Sequence, residues 1–117
     1  MDTRCTLKKN SDFRRLYAKG KSVVTPYMVL YCRRNSLGVN RLGYTVSTKL
    51  GHAVVRNRTR RRLREVYRLN EQRFLPGYDI VVVARTRAVE APFDALTASY
   101  LALAKKAGIL RQTEENQ

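Results

Sequence analysis

The sequence predicts an α+β fold, a two-layer sandwich in which helices pack against a small mixed sheet. Stretches with helical spacing of apolar residues alternate with short stretches rich in β-branched and aromatic residues. The length of 117 residues and the apolar fraction of 44% suit one core. No internal repeat or linker divides the chain. We therefore predict one domain over residues 1–117, with flexible ends at 1–6 and 111–117.

The first half of the sequence predicts a helix and three strands. The helix begins at Asn10 or Ser11, the candidate N-caps, and ends at Gly20, with apolar residues at helical spacing between them. Alternating and β-branched residues then predict the strands, and Asn35–Gly38 is a turn between the second and the third. The predicted strands are Lys21–Thr25, Tyr27–Arg33 and Leu42–Val46.

The second half predicts a long helix, a buried strand and a final helix. The long helix, His52–Asn70, follows a loop at Ser47–Gly51. The strand is Tyr78–Ala84, because its run of Ile and Val has no polar alternation. Pro92 suits the first turn of the final helix, and Gly108 suits its end.

Positive charge is concentrated in one part of the chain. The sequence has 24 Lys and Arg against 9 Asp and Glu, for a formal net charge of +15. Residues 13–64 hold fourteen basic residues and no acidic one, whereas residues 65–117 hold seven of each. A block of one sign at this density repels itself unless a polyanion compensates it. Nucleic acid is therefore the predicted partner.

The long predicted helix carries the densest charge, with seven Arg and one Glu between Arg56 and Arg68. The stripe predicted to pack on the sheet consists of Val55, Thr59, Leu63 and Val66. Like-charge pairs at i, i+4 spacing cost the helix ~0.2–0.5 kcal/mol each. Planar guanidinium groups bind phosphate through two parallel hydrogen bonds, so nucleic-acid binding is favoured over a solvated surface helix. The candidate binding residues are Arg56, Asn57, Arg58, Arg60, Arg61, Arg62, Arg64 and Arg68.

Two residues of this helix have a local interpretation as well. Asn57 could read a base edge or a ribose hydroxyl, and a local or solvent-facing role is equally compatible with its spacing. Glu65 is predicted to pair with Arg61, four residues before it.

The sequence predicts a protein without catalytic residues of its own. It has one His, no pairing of a nucleophile with a base and no Gly-rich phosphate loop. His52 could act as a general base, but a surface role at a helix start is favoured. Asp79 is predicted to end its strand, and Cys32 to be a buried apolar residue. Because Cys5, Cys32 and His52 lack the number and spacing of zinc ligands, we predict no metal site on the protein. We also predict no organic cofactor.

The arginine helix also resembles the signature of a known family. The stretch Lys49–Glu65, which contains Arg-Asn-Arg, a basic run and a closing Arg-Glu, is similar to the protein subunit of bacterial ribonuclease P. Leu7–Phe13 and Asp79–Arg85 resemble that family too, and the similarity extends from Leu7 to Lys106.

The resemblance implies a fold and a function. The fold is α-β-β-β-α-β-α, with a left-handed β-α-β crossover around the arginine helix, an exception to the usual rule. The function is that of ribonuclease P, the ribonucleoprotein endonuclease that removes the 5′ leader from precursor tRNA. A large RNA is its catalyst, and the implied cofactor, Mg²⁺, is bound mainly by this RNA. The protein is then an accessory subunit that binds this RNA through the arginine helix and holds the single-stranded leader.

A cleft between the first helix and the sheet is implied as the leader site. Aromatic residues in such positions are more often core, but the matching family positions line the cleft, where stacking tolerates any base. Thr48 and His52 are uncharged where family members often carry a base, and Tyr17 often corresponds to Phe. The implied leader-binding residues are Phe13, Tyr17, Tyr31, Lys49, Arg85 and Arg87.

Other functions stay open from the residues alone. A structural RNA-binding protein, such as a ribosomal protein, is the main alternative. A DNA-binding protein that places the same helix in a major groove is a second, and a self-sufficient nuclease is the least favoured. The longest apolar run, Tyr27–Cys32, has six residues against the ~18 that span a bilayer, so we predict a cytoplasmic protein without a membrane partner. No protein partner is evident.

Overall fold

The structure, a computed structural model, describes residues 6–112. Helices and strands follow one another in the predicted order, and the α+β class is confirmed. β4 has the predicted bounds, and the other boundaries agree or shift by one or two residues. The elements are α1 Asn10–Lys19, β1 Lys21–Val24, β2 Met28–Arg34, β3 Arg41–Thr45, α2 Ala53–Asn70, β4 Tyr78–Ala84 and α3 Phe93–Ala107.

The four strands form one mixed sheet in the order β1-β2-β4-β3. β2 pairs antiparallel with both β1 and β4, whereas β3 runs parallel to β4 with Leu42 opposite Ile80. The chain therefore passes from β3 through α2 into the neighbouring parallel strand, which is a β-α-β unit. Its left-handed sense stays a prediction.

Helices cover both faces of the sheet, so the two-layer prediction is incomplete. Neighbouring residues of a strand point to opposite faces. Ile80 and Val82 of β4 belong to the main core, which includes the buried side chains of α2 and α3. Val81 belongs to a second, smaller cluster together with Leu16 of α1. The uniformly apolar run of β4 is explained by this arrangement, because a central strand with both faces covered needs no polar alternation.

The two ends of α1 differ from the prediction in detail. The N-cap is Lys9, whose carbonyl accepts from the amides of Asp12 and Phe13, so Asn10 and Ser11 already lie in the first turn. Gly20 ends the helix as predicted, but in an extended conformation with φ −79°. A Cβ at Gly20 would lie 2.6 Å from the carbonyl oxygen of Leu16, so close approach rather than left-handed backbone requires glycine here.

Parts of the predicted flexible ends are tied to the fold. Thr6 pairs with Leu42 as an isolated bridge, and the amide of Arg111 donates to the carbonyl of Arg73 at 2.7 Å. The remaining residues of these ends, 1–5 and 113–117, lie outside the described residues, as does Cys5. Among residues 6–112, no helix is both long enough and apolar enough to cross a membrane.

Candidate nucleic-acid interface

α2 buries one stripe and turns its arginines outward. Thr59, Leu63 and Val66 are buried as predicted, whereas Val55 is half-buried. Tyr67 completes the stripe, and its ring packs against Phe74 with centroids 4.8 Å apart. Because this stripe fixes how the helix is rotated, the polar side chains stand on the remaining two thirds of its circumference.

The exposed arginines of α2 include a group without protein partners. Arg58, Arg61 and Arg64 are exposed and make no ion pair or hydrogen bond with their side chains in the part of the chain that the structure describes. Arg56 is half-buried, and its Nε donates to the carbonyl of Gly51 at 3.2 Å. The guanidinium groups of Arg58, Arg61 and Arg64 therefore keep their charge and their hydrogen-bond donors available for an external ligand.

Asn57 and Arg60 are bound to each other. The Arg60 guanidinium donates to Asn57 Oδ1 at 2.7 Å, one turn along the exposed side of the helix. This contact is the local role that the spacing of Asn57 left open. Asn57 is exposed, and its amide nitrogen has no protein partner in the described chain.

Glu65 pairs with Arg68, so the predicted pair with Arg61 is wrong. Arg68 donates to both carboxylate oxygens of Glu65, at 2.8 and 2.6 Å. This hydrogen bonding lowers the pKa of Glu65 and raises that of Arg68. An acid placed N-terminal to its base is the more favourable orientation on a helix, which explains the choice. Arg68 therefore offers less charge to a ligand than Arg61 does.

Arg62 faces the opposite side of α2 from Arg60. Its guanidinium donates to the carbonyl of Ala91, just before α3. Burial, with a smaller contribution from the positive charge of Arg58, lowers the pKa of Arg62. The structure thus places Arg62 in the packing of α2 against the segment before α3, apart from the unpaired arginines.

A cleft runs between α1, β3 and α2. It consists of two adjoining pockets of about 340 and 480 Å³. Phe13, Tyr44 and Arg60 line both pockets, Arg64 lines the first, and Tyr17 lines the second. One wall of the cleft is therefore aromatic and the other cationic. The aromatic and arginine surfaces, predicted as two separate sites, meet in this one cleft.

Of the predicted aromatic residues, Phe13 and Tyr17 line the α1 side of the cleft, whereas Tyr31 lines neither pocket and contacts Tyr17. The rings of Phe13 and Tyr17 are 6.4 Å apart, and those of Tyr17 and Tyr31 are 4.9 Å apart in an edge-to-face arrangement. Phe13 and Tyr31 pack against the small cluster around Val81. Tyr17 is the most exposed of the three rings at 41%, and its hydroxyl lies 2.9 Å from Thr45 Oγ1.

Phe13 sits over a residue that has no side chain. A Cβ at Gly43 would lie 2.8 Å from Cζ of Phe13, closer than atoms can approach. We expect Gly43→Ala to displace the ring and to lower the free energy of unfolding by ~1–3 kcal/mol, as overpacking does. Combining it with Phe13→Leu, which replaces the ring by a smaller side chain, should recover part of the lost free energy of unfolding. Thermal unfolding of the three variants measures both effects, and a Gly43→Ala protein as stable as wild type would contradict the packing described.

The predicted basic residues lie beyond the two pockets. Lys49 is exposed on a 3₁₀ turn after β3, and Arg85 is exposed directly after β4. Because β3 and β4 are parallel, both follow the same edge of the sheet. Arg85 donates to the carbonyl of Thr25 at 3.2 Å, and Arg87 lies over the ring of Tyr27 at 6.0 Å. The described chain thus places these basic residues beyond the carboxyl ends of β3 and β4.

The predicted set lacks several residues that line the cleft, and three of them could contact a nucleic acid through a polar group or a ring. Asn10 and Arg14 of α1 line the larger pocket, and Tyr44 lines both. Arg14 directly follows Phe13 and belongs to the acid-free block, which was the available signal. Tyr44 could not be singled out, because an aromatic residue on a strand is usually core.

Tyr44, which lines the cleft, shares a partly buried hydrogen bond of 3.0 Å between its hydroxyl and that of the buried Tyr100. Burial raises the pKa of both tyrosines above the ordinary 10.0. The unfolded chain therefore loses these protons first as pH rises. Stability from these groups is complete below pH 10 and should fall above it, by about 1.4 kcal/mol per pH unit for each group.

Base-induced unfolding measures this dependence. We expect Tyr44→Phe/Tyr100→Phe to flatten the fall in unfolding free energy above pH 10, and the matched variant Tyr27→Phe to keep it. An equally steep fall in the double variant would contradict the assignment.

Residues 6–112 contain no group of three or more His, Cys, Asp or Glu side chains that could hold a metal ion. His52 is exposed at the N-cap of α2 and makes no capping hydrogen bond with its side chain. Asp79 lies inside β4 rather than at its end. Its carboxylate accepts two hydrogen bonds from Arg41, at 2.8 and 2.7 Å, and this pair anchors the strand edge.

Comparison with known proteins identifies the family. The family model described as Ribonuclease P matches residues 1–108. The ribonuclease P protein component of Natranaerobius thermophilus is 45% identical over 92% of this chain and 93% of its own length. That of Clostridioides difficile is 44% identical over 88% and 91%.

Solved structures agree with this match. The RNase P protein of Staphylococcus aureus superposes with a TM-score of 0.83 at 36% identity, covering 92% of this chain and 98% of that one. The RNase P protein from Thermotoga maritima gives 0.80 at 32% identity, covering 86% and 96%. The chain therefore belongs to the family of ribonuclease P protein components.

Proposed function

We propose that this chain is the RNA-binding, non-catalytic subunit of a ribonuclease P that removes the 5′ leader from precursor tRNA. Its partners are the catalytic RNA subunit and the precursor tRNA. The observation that carries the proposal is the cleft in which Phe13 and Tyr17 face Arg60 and Arg64. Stacking surfaces beside cations that no carboxylate neutralises are what a single-stranded nucleic acid requires.

The outer side of α2 is assigned to the catalytic RNA. Arg58 and Arg61 are exposed, line neither pocket of the cleft and have no protein partners in the described chain. An RNA backbone that approaches α2 from outside supplies the negative charge that these groups lack. Arg68 contributes less, because Glu65 already binds it.

The cleft itself is assigned to the leader strand. Phe13 and Tyr17 offer ring faces to bases, while Arg60 and Arg64 on the opposite wall offer donors to phosphates. Each stacked base contributes ~1–3 kcal/mol with little preference for its identity, which suits leaders of varied sequence. Lys49, Arg85 and Arg87 extend this basic surface along the edge of the sheet where β3 and β4 end.

The carboxylates of residues 6–112 do not gather into a Mg²⁺ site, since no three possible metal ligands lie together, and three of the carboxylates already face arginines. Asp12 and Asp79 both face Arg41, at 4.0 and 2.7 Å, and Glu65 is held by Arg68. A magnesium ion needs oxygen ligands that are not already neutralised by guanidinium groups. The proposal therefore leaves Mg²⁺ and the hydrolytic step to the RNA subunit, and gives the protein the binding of RNA and substrate.

Cleavage of precursor tRNA tests the proposal. The purified chain alone is expected to leave precursor tRNA intact, and the chain with its RNA subunit and Mg²⁺ is expected to release the leader. The complex should also bind precursor tRNA more tightly than mature tRNA. Equal affinity for precursor and mature tRNA would contradict the assignment of the cleft to the leader. Cleavage by the protein alone would overturn the non-catalytic role.

A further inference from the structure

A second cationic pocket lies on the other side of α1. It has a volume of about 270 Å³ and is bounded by α1, the end of β2 and the turn that follows it. Its charged lining residues are Asp12, Arg15, Arg33, Arg34, Arg41 and Asp79. We call this the lower pocket. With four arginines and two aspartates, its formal charge is 4 − 2 = +2.

The two carboxylates of the lower pocket are already engaged. Asp79 accepts from Arg41 through both oxygens and from Asn35 Nδ2 at 2.8 Å, while Asp12 lies 4.0 Å from Arg41. Asn35 is held in turn, since its side chain also contacts Val39 and Leu37 of the turn. The floor of the pocket is therefore a fixed hydrogen-bonded frame that leaves no carboxylate for the other arginines.

Three guanidinium groups around this frame are without a carboxylate. Arg15, Arg33 and Arg34 are exposed and form no ion pair within residues 6–112. Arg34 lies over the ring of Tyr78 at 5.8 Å, which holds it at the pocket edge. Like charges gathered in this way destabilise the free protein slightly and favour the binding of an anion.

α1 separates the lower pocket from the cleft. Arg15 is two residues from both Phe13 and Tyr17, so at 100° per residue it is turned about 160° from each of them. Of the residues that line the lower pocket, none lines either pocket of the cleft. A strand that stacks on Phe13 and Tyr17 therefore cannot reach Arg15, Arg33 and Arg34 without crossing α1.

We propose that the lower pocket is a further RNA-binding site, at which Arg15, Arg33 and Arg34 bind backbone phosphates of the catalytic RNA subunit. The site rests on the proposed function and deepens it. Phosphate suits the pocket because planar guanidinium groups bind its oxygens in pairs. RNA is favoured over an acidic protein segment because the same unbroken basic block, residues 13–64, also carries the arginines of α2. One extended polyanion can then compensate both surfaces.

The test compares two variants that lose the same charge. The pocket variant is Arg15→Gln/Arg33→Gln/Arg34→Gln, and the control is Arg73→Gln/Lys105→Gln/Lys106→Gln, whose residues are exposed elsewhere. Binding of a transcript of the cognate RNA subunit is measured over a range of salt concentrations. Thermal unfolding shows that both variants are folded.

We expect the pocket variant to lower RNA affinity on the order of tenfold to hundredfold and the log–log salt slope by about two to three. The control should change the slope by less than one unit, and the preference for precursor over mature tRNA should persist in both. A pocket variant indistinguishable from the control would overturn the site. Competition by poly-glutamate as strong as that by RNA would also overturn it. A wild-type chain that does not bind the transcript would refute the proposed function instead.

Discussion

Arg58→Ala/Arg61→Ala is expected to weaken binding of the RNA subunit on the order of tenfold to hundredfold and to lower the log–log salt slope by about two. Both guanidinium groups are exposed, and neither has a protein partner in the described chain. Each arginine that contacts a phosphate releases counterions from the RNA on binding, and the salt slope is proportional to the number of such contacts. A variant that loses two contacts therefore has a smaller slope. The measurement is equilibrium binding of the transcript over a range of salt concentrations.

Two control variants show whether the effect depends on where the charges lie or only on how many are removed. Lys105→Ala/Lys106→Ala removes the same two charges from the exposed end of α3 and should leave the slope nearly unchanged. Glu65→Ala/Arg68→Ala removes an ion pair of zero net charge from α2 itself and should also have a small effect. If Arg58→Ala/Arg61→Ala leaves the salt slope at the wild-type value, the outer side of α2 is not in the interface.

Phe13→Ala is expected to reduce the preference of the assembled enzyme for precursor over mature tRNA by about 5- to 150-fold, the equivalent of one stacked base at ~1–3 kcal/mol. The ring lines both pockets of the cleft and packs over Gly43, so it is held in place before a leader binds. Assembly with the RNA subunit should persist, because Phe13 lies on α1 and the unpaired arginines lie on α2.

Phe13→Leu keeps the result interpretable if the alanine variant loses stability. Leucine retains apolar packing against Gly43 but offers no ring face to a base. We expect this variant to melt close to wild type and still to lose most of the precursor preference. Unchanged affinity for both tRNAs in a folded Phe13→Leu enzyme would show that the aromatic wall does not hold the leader.

Much of the fold could be predicted because its signals are local. The apolar run of β4 and the stripe on α2 each follow from the spacing of residues within one element, and both are confirmed. The predicted N-cap of α1 was wrong by one residue, because Lys9 supplies the backbone carbonyl without any side-chain cap. Sheet order and the position of α1 on the second face depend on contacts between distant segments, which no local pattern specifies.

In the candidate site too, local features were predictable and contacts between distant residues were not. The exposed arginines of α2 were predictable from helical periodicity, but their partners were not. Arg62 binds the carbonyl of Ala91, 29 residues away, and Arg41 binds Asp79, 38 residues away. Charge pairing across the fold therefore decides which cations stay available, and the sequence alone shows only their number.

The RNA that the chain binds in cells decides whether the chain is a subunit of ribonuclease P. Purification of the intact complex under native conditions, followed by sequencing of its RNA, should yield one abundant structured RNA, the catalytic subunit, together with tRNAs that still carry 5′ leaders. Ribosomal RNA as the main bound species would contradict the claim and support a structural ribosomal role for the same unpaired arginines.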